Sequence, residues 1–167
     1  MNKNHLFDLI RDGENSGVEF KRDDVEPRAL AKEVVALANL RGGRVVLGVE
    51  DDGTISGIQR PDLEEWVMTV CRDKIRPEII PYFETVRDVQ GRDVAMVSVE
   101  AGWTVHHVWH NSGRTYYIRV GSQSREASQE ELARLLQRRG LFNVETRPVA
   151  GAGFGELDFR RVKEYFV

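Results

Sequence analysis

The sequence ENSGVEFKR, residues 14–22, predicts a short strand that carries charges on one of its faces. Side chains alternate along a strand, so the apolar residues point one way while Glu19 and Lys21 point the other. The simplest interpretation is a solvent-exposed face, with Glu19 and Lys21 as an ion pair and Glu14 as a loop acid. The alternative is a site built from charged side chains.

Length and composition place the chain among ordinary single-domain proteins. Its 167 residues can bury a real core, and 41% are hydrophobic and 31% charged. No apolar run approaches the roughly 20 residues that a membrane helix needs, and the N-terminus has no signal-peptide pattern. A cytoplasmic protein that does not enter membranes is therefore expected. Cys71 is the only cysteine, which predicts a packed thiol and excludes a cysteine-based zinc site.

The charge distribution bears on nucleic-acid binding. A net charge of −3 argues against a general nucleic-acid coat, although it leaves room for a local basic groove. Arginines crowd the late part of the chain, at Arg114, Arg119, Arg125, Arg134, Arg138 and Arg139. The other interpretation of this crowding is a solvated surface of mixed charge.

The order of predicted elements indicates an α+β domain. Helices are expected to begin near Asn4, Pro27, Pro61 and Ser128, the last with a capping box completed by Glu131. Strands are expected at residues 17–22, 44–49, 54–58, 82–89, 94–100, 106–110 and 115–120, with 54–58 pairing with 44–49 and 115–120 pairing with 106–110. This order predicts a single domain over residues 1–140, with a mixed, mostly antiparallel sheet and flanking helices. Residues 141–167 are expected to be a linker and the start of a following segment of a longer protein.

Two familiar catalytic patterns are absent. Gly43 and Gly48 have the spacing of a phosphate loop, but Val49 and Glu50 follow instead of lysine and a hydroxyl residue, which argues against ATP binding. No nucleophile-elbow signature occurs. Three histidines at 106, 107 and 110 cannot all converge from one strand, so surface or partly packed histidines are favoured over a metal site.

The acidic residues allow a different kind of site. Carboxylates are the oxygen ligands that magnesium and manganese prefer. Glu19 and Lys21 share a face, while Asp51 and Asp52 lie on a turn after the central strand. Spacing alone favours an exposed ion pair and ordinary turn chemistry over a metal site.

Four segments, in order, make the chain resemble the Schlafen AlbA-2 family. They are ENSGVEFK (14–21), ALANLRGG (36–43), VVLGVEDDGTISGI (45–58) and YYIRVGSQS (116–124), and the resemblance covers most of residues 5–140. Such domains often begin longer proteins described as candidate transcriptional regulators. The resemblance therefore implies action on RNA or DNA and further C-terminal domains in the full protein.

The resemblance also implies a site. In the members that cut RNA, three acids hold a divalent metal, and they fall here on Glu14, Glu19 and Asp51, with Asp52 or Glu50 as alternatives to the last. Lys21 would then steady the scissile phosphate, and Mg or Mn would be the cofactor. These members also have a cysteine-based zinc site and join two lobes, whereas this chain has one lobe. A homodimer would restore the second.

Two functions follow as alternatives. The first is a metal-dependent endonuclease, with Glu14, Glu19, Lys21 and Asp51 as catalytic residues and with Lys21, Arg119 and Arg125 on nucleic-acid phosphates. The second is a non-catalytic DNA-binding module at the head of a transcriptional regulator, in which the acids serve structure. A divalent ion is required by the first function and not by the second.

Overall fold

The computed structural model describes residues 3–88 and 90–140, with side chains from His5 onward. Residues 141–167, predicted to be a linker and a following segment, lie outside the described residues, as does the side chain of Asn4, the predicted helix cap. The helices are α1 (Lys3–Asp12), α2 (Pro27–Leu40), α3 (Leu63–Lys74) and α4 (Gln129–Arg138). The strands are β1 (Val18–Lys21), β2 (Gly42–Leu47), β3 (Ile75–Arg76), β4 (Tyr82–Arg87), β5 (Asp93–Glu100), β6 (His107–His110), β7 (Gly113–Thr115), β8 (Tyr117–Val120) and β9 (Gln123–Glu126).

The strands form a main sheet and two smaller ones. The main sheet has the order β1-β2-β5-β4, in which β1 and β2 are parallel and the other neighbours antiparallel. Strands β3, β6 and β7 form an antiparallel sheet, and β8 pairs with β9. The predicted α+β domain with a mixed, mostly antiparallel sheet is confirmed. No helix within residues 3–88 and 90–140 is long and apolar enough to cross a membrane.

Both faces of the main sheet are covered. On one face Val18, Phe20 and Val46 pack with Leu6 of α1. On the other face Val45, Leu47 and Val97 pack with α2 and α3. Because Glu19 pairs in register with Val45, its side chain points toward this second, covered face. The interpretation of the polar side of β1 as a solvent-exposed face is therefore wrong for Glu19, which is 6% exposed.

Helix α2 lies at the centre of the fold. Pro27 occupies its first turn, as predicted, and Leu30, Val34 and Leu37 are fully buried. Asn39 is also buried, and its amide donates hydrogen bonds to the carbonyls of His106 and Tyr117, both at 2.9 Å. The helix thereby holds the residue before β6 and the first residue of β8.

Two predicted strand pairings form only in part. Residues 54–58 were expected to form a full strand, but they make a single bridge between Val49 and Ile55. The run 115–120 was expected to pair with 106–110; instead β6 pairs with β7, and β8 turns back to pair with β9. Turn residues at 121–122 offer a second reversal that the hydrophobic pattern alone did not reveal.

The central strand also ends earlier than predicted. Strand β2 stops at Leu47 because Gly48 adopts a φ of +90°, which side-chain-bearing residues rarely tolerate. Its carbonyl accepts hydrogen bonds from the backbone N–H groups of Ser56 and Gly57, both at 2.9 Å. A Cβ atom at this position would lie 3.0 Å from the backbone of Gly57. Gly48 is thus a close-packed backbone position.

Candidate functional site

Glu19 is held by two cations in the interior. Its Oε1 atom accepts a hydrogen bond from Lys21 Nζ, and its Oε2 atom accepts one from Arg119 Nη1 at 2.6 Å. The Glu19 side chain is 7% exposed. Both carboxylate oxygens therefore already have a charged partner inside the protein.

Arg119 is the centre of this buried network. Its side chain is 0% exposed, so the small exposed fraction of the residue is backbone. It donates to the carbonyls of Asn15 at 2.7 Å and Val18 at 2.9 Å, and to Glu33 Oε2 at 3.2 Å. A phosphate could reach Arg119, predicted as a phosphate ligand, only if these bonds broke. We call Glu19, Lys21, Glu33, Arg119 and Ser124, whose hydroxyl joins Arg119 and Glu33, the buried network.

Lys21 links the buried network to the surface. Its side chain is 23% exposed, and its ammonium also donates to the Phe20 carbonyl at 2.9 Å. Burial disfavours the charge of Lys21, but the hydrogen bond and charge of Glu19, with the charges of Glu33 and Glu14, outweigh it and raise its pKa. Lys21 is thus a firmly charged cation whose charge is largely balanced within the protein.

Glu14 and Asp51, the other two predicted metal ligands, lie near Glu19 without joining it. Glu14 Oε1 accepts a hydrogen bond from the backbone N–H of Phe20 at 2.8 Å. Burial raises the pKa of Glu14, and the charges of Glu19 and Asp51 add to this, against the Phe20 bond and Lys21. The three acids are therefore electrostatic neighbours, and Asp51 is exposed on its turn.

The three acids do not fit a metal ion as they are placed. Within residues 3–88 and 90–140, no group of three or more His, Cys, Asp or Glu side chains could hold one. The physical reason is that Glu19 turns inward to Arg119 and Lys21. The predicted convergence of Glu14, Glu19 and Asp51 around one ion is not formed, and the catalytic roles of these residues remain predictions.

An open cleft of about 580 Å³ lies beside these acids. We call it the acidic cleft; it is lined by Lys21, Arg22, Asp24, Val25, Glu50, Asp51 and Asp52. Asp52 accepts a hydrogen bond from the Thr54 N–H at 2.8 Å, which lowers the pKa of its carboxyl group. Asp52 thus closes its turn, as the simpler interpretation predicted.

A second cavity, of about 510 Å³, has the opposite charge. We call it the arginine groove; it is lined by Ser16, Asn39, Leu40, Arg41, Arg119, Gly121, Leu135, Arg138 and Arg139. This lining contains four arginines and no acid. Arg139 Nη2 donates to the Ala38 carbonyl at 3.2 Å, so its cation caps the C-terminus of α2. Arg41 and Arg138 are exposed, and neither has an ion-pair partner within the described residues.

Arg125, the other predicted phosphate ligand, is paired with Glu131, which lines a cavity next to the arginine groove. Its guanidinium donates to both carboxylate oxygens of Glu131, at 2.9 and 2.5 Å. This pairing, together with the Ser128 N–H, lowers the pKa of Glu131 to about 2. The Arg125 side chain is 49% exposed and its charge is shared with Glu131, so a phosphate contact by Arg125 stays a prediction.

The remaining polar candidates have structural roles. Cys71 is buried as predicted, and burial raises the pKa of its thiol to about 12. His106 is buried, and its Nδ1 atom lies 2.8 Å from the Pro77 carbonyl. Arg41 was not predicted as a site residue from the sequence. Arg138 lies in the late, arginine-rich part of the chain, and this crowding of arginines was the sequence signal for a basic groove.

Comparisons with known proteins agree with this fold. The DIP2311 protein from Corynebacterium diphtheriae is similar at 23% identity and a TM-score of 0.55, over 74% of this chain and 27% of that protein. The N-terminal domain of a protein named as related to the ATP-dependent DNA helicase RecG, from Nitrosomonas europaea, is similar at 24% identity and a TM-score of 0.50, over 60% of this chain and 74% of that domain. No curated protein sequence matches the chain. The Schlafen AlbA_2 family model matches residues 14–128, and the chain belongs to that family.

Proposed function

We propose that this chain is a nucleic-acid-binding domain that holds the phosphate backbone in the arginine groove. The observation that carries the proposal is that the groove lining contains no acid and that two of its arginines, Arg41 and Arg138, are exposed without an acidic partner among the described residues. The name of the Nitrosomonas europaea neighbour, which refers to a DNA helicase, is consistent with this function.

The exposed arginines suit phosphate for chemical reasons. A guanidinium presents a rigid fork of N–H donors that matches two phosphate oxygens, and it is more weakly hydrated than an ammonium. Arg41 and Arg138 are not neutralised by an acid in the described part of the chain. Their charge is therefore free for a ligand, whereas the charge of Arg119 is already used inside the protein.

Binding without cleavage fits the acids better than catalysis does. A metal-dependent nuclease needs carboxylate oxygens that are free to coordinate an ion. Both oxygens of Glu19 are taken by Lys21 and Arg119, and Glu14 uses one oxygen for the Phe20 N–H. The acids thus support the non-catalytic module, and the nuclease with Mg or Mn remains a prediction.

Salt-dependent binding tests the proposed groove. Labelled duplex DNA, single-stranded DNA and RNA are titrated with the protein at several salt concentrations. We expect affinity to fall steeply with salt, because phosphate contacts release counterions. The double variant Arg41→Ala/Arg138→Ala should bind more weakly, with a salt slope smaller by about 2, one for each lost contact.

Arg28→Ala is the matched control. Arg28 is exposed in the first turn of α2, and Arg41 follows the last residue of that helix, so the two lie about 20 Å apart along its axis. The control should bind like the wild type. If the double variant also bound like the wild type, with an unchanged salt slope, the arginine groove would not be the binding site.

Cleavage assays with manganese test the nuclease separately. Asp51→Asn is the appropriate variant, because Asp51 is exposed and lies outside the buried network, so the fold should not depend on it. We expect the wild type to bind folded RNA and single-stranded DNA without cutting either. Manganese-dependent cutting that disappears in Asp51→Asn would contradict this expectation and would identify the acidic cleft as the catalytic site.

A further inference from the structure

The outer face of the three-stranded sheet β3-β6-β7 carries exposed and half-buried aromatic and basic side chains. Ile75, Val108 and Thr115 are aligned across the three strands and are buried on its inner side. Alternation places their neighbours on the opposite side. There Arg76 pairs in register with His107, and Trp109 pairs with Arg114.

Rings and arginines alternate on this outer face. The rings of His107 and Tyr116 have centroids 5.1 Å apart, and the guanidinium carbon of Arg114 lies 5.7 Å from the Tyr116 ring centroid. Trp109 is 49% exposed. We call Arg76, His107, Trp109, Arg114 and Tyr116 the aromatic face.

The aromatic face is positively charged and carries no acid of its own. Arg114 and Arg76 have no ion-pair partner in the described parts of the chain, and the Arg76 guanidinium donates only to the backbone carbonyls of Arg72 and Ile75. Burial, followed by the positive charges of Arg114, His106 and Arg76, lowers the pKa of His107. His107 thus remains a neutral flat ring at neutral pH beside two cations.

We propose that the aromatic face binds single-stranded nucleic acid, with bases stacked on Trp109 and Tyr116 and phosphates held by Arg114 and Arg76. Sheets that present aromatic rings between basic side chains can bind unstacked bases, because every base has a π-face and the cations follow the backbone. In a duplex the bases stack on each other and cannot reach the rings. This inference rests on the proposed nucleic-acid binding. It adds that the ligand is single-stranded and that it contacts a second surface besides the arginine groove.

The test compares single strands with a duplex of the same length. Labelled poly-dT and poly-U strands of about 15 nucleotides, near the upper site size of a single-strand-binding fold, and a duplex are titrated with the whole chain. Trp109→Ala should weaken single-strand binding by about tenfold or more, the usual effect of removing one stacking ring, and leave duplex binding unchanged. Trp109→Phe should retain most of the affinity, since a smaller ring still stacks.

Trp103→Ala is the matched control, because Trp103 is 95% exposed and does not belong to the aromatic face. It should bind like the wild type. Arg114→Ala is a second variant, which removes an exposed charge and leaves the aromatic rings in place. We expect it to reduce the salt slope by about 1 for single strands only.

The outcomes separate this inference from the proposed function. If Trp109→Ala and Arg114→Ala bind single strands like Trp103→Ala while the groove variants lose affinity, the aromatic face is excluded and the groove stands. If Trp109→Ala weakens single strands and duplex equally, selectivity for single strands is excluded. If the wild type binds no nucleic acid, both proposals fail.

Discussion

The acidic cleft and the arginine groove differ in whether their exposed or half-exposed cations already have acidic partners. In the cleft, Lys21 is bound to Glu19, and Arg22 pairs with Asp24 at 3.1 Å and with Glu50 at 3.8 Å. In the groove, Arg41 and Arg138 have no acidic partner among the described residues. The comparison shows that an arginine or lysine indicates an anion site only if the fold leaves its charge unbalanced.

The buried network explains why the charges near the cleft are fixed. Two buried carboxylates and one buried guanidinium are costly to remove from water, and only close pairing and full hydrogen bonding offset that cost. Arg119 meets this condition by joining Glu19, Glu33 and two backbone carbonyls. Strand β8 is thereby attached to β1 and α2 through one side chain.

Loss of Arg119 should have the largest effect on stability. Arg119→Ala leaves buried carboxylates and the carbonyls of Asn15 and Val18 without their donor, so the free energy of unfolding should fall by about 3–5 kcal/mol. Urea denaturation measures this. The control Arg138→Ala, on the exposed side of the groove, should change stability by less than about 0.5 kcal/mol. Equal stability of the two variants would contradict the proposed division between structural and ligand-binding arginines.

Glu19→Gln should have an intermediate effect. The amide keeps the shape of the side chain but removes the negative charge between Lys21 and Arg119, and we expect a loss of about 2–3 kcal/mol in the free energy of unfolding. Thermal or urea denaturation measures it, with Asp51→Asn as the exposed acid for comparison. A Glu19→Gln variant as stable as Asp51→Asn would show that Glu19 is available for a ligand.

Glu131→Gln should have the smallest effect on the free energy of unfolding. The effect should appear mainly in how that free energy changes with pH. The pKa of Glu131 is lowered from 4.5 to about 2 in the folded protein, so its stabilising contribution is present above pH 4.5 and is lost as pH falls toward 2. Wild-type stability should therefore decline more steeply across this interval than that of Glu131→Gln. Denaturation at a series of pH values measures the difference.

The same variant tests whether Arg125 belongs to the nucleic-acid interface. Replacing Glu131 releases Arg125 from its only acidic partner within the described residues, which adds a free cation next to the groove. Nucleic-acid affinity at neutral pH should therefore rise modestly, with a steeper salt dependence. Unchanged affinity would exclude Arg125 from the interface.

Part of the fold was predictable because it depends on local rules. Pro27 and the apolar spacing of Leu30, Val34 and Leu37 predict α2, since a helix brings such positions onto one face. The capping box of Ser128 and Glu131 is present as predicted, because both groups lie within one turn. The strand pairing of 115–120 was not predictable in this way, because two reversals in the same stretch compete with nearly equal local signals.

The sequence by itself therefore determined the α+β class, the buried helix α2 and the family to which the chain belongs. Only the tertiary structure decided that Glu19 faces the interior, because its partner Arg119 lies 100 residues further along the chain. It likewise brought Arg41 next to Arg138 in one groove. Local periodicity specifies which residues share a face, but the groups that meet that face depend on long-range packing, and this packing decides which charges remain free for a ligand.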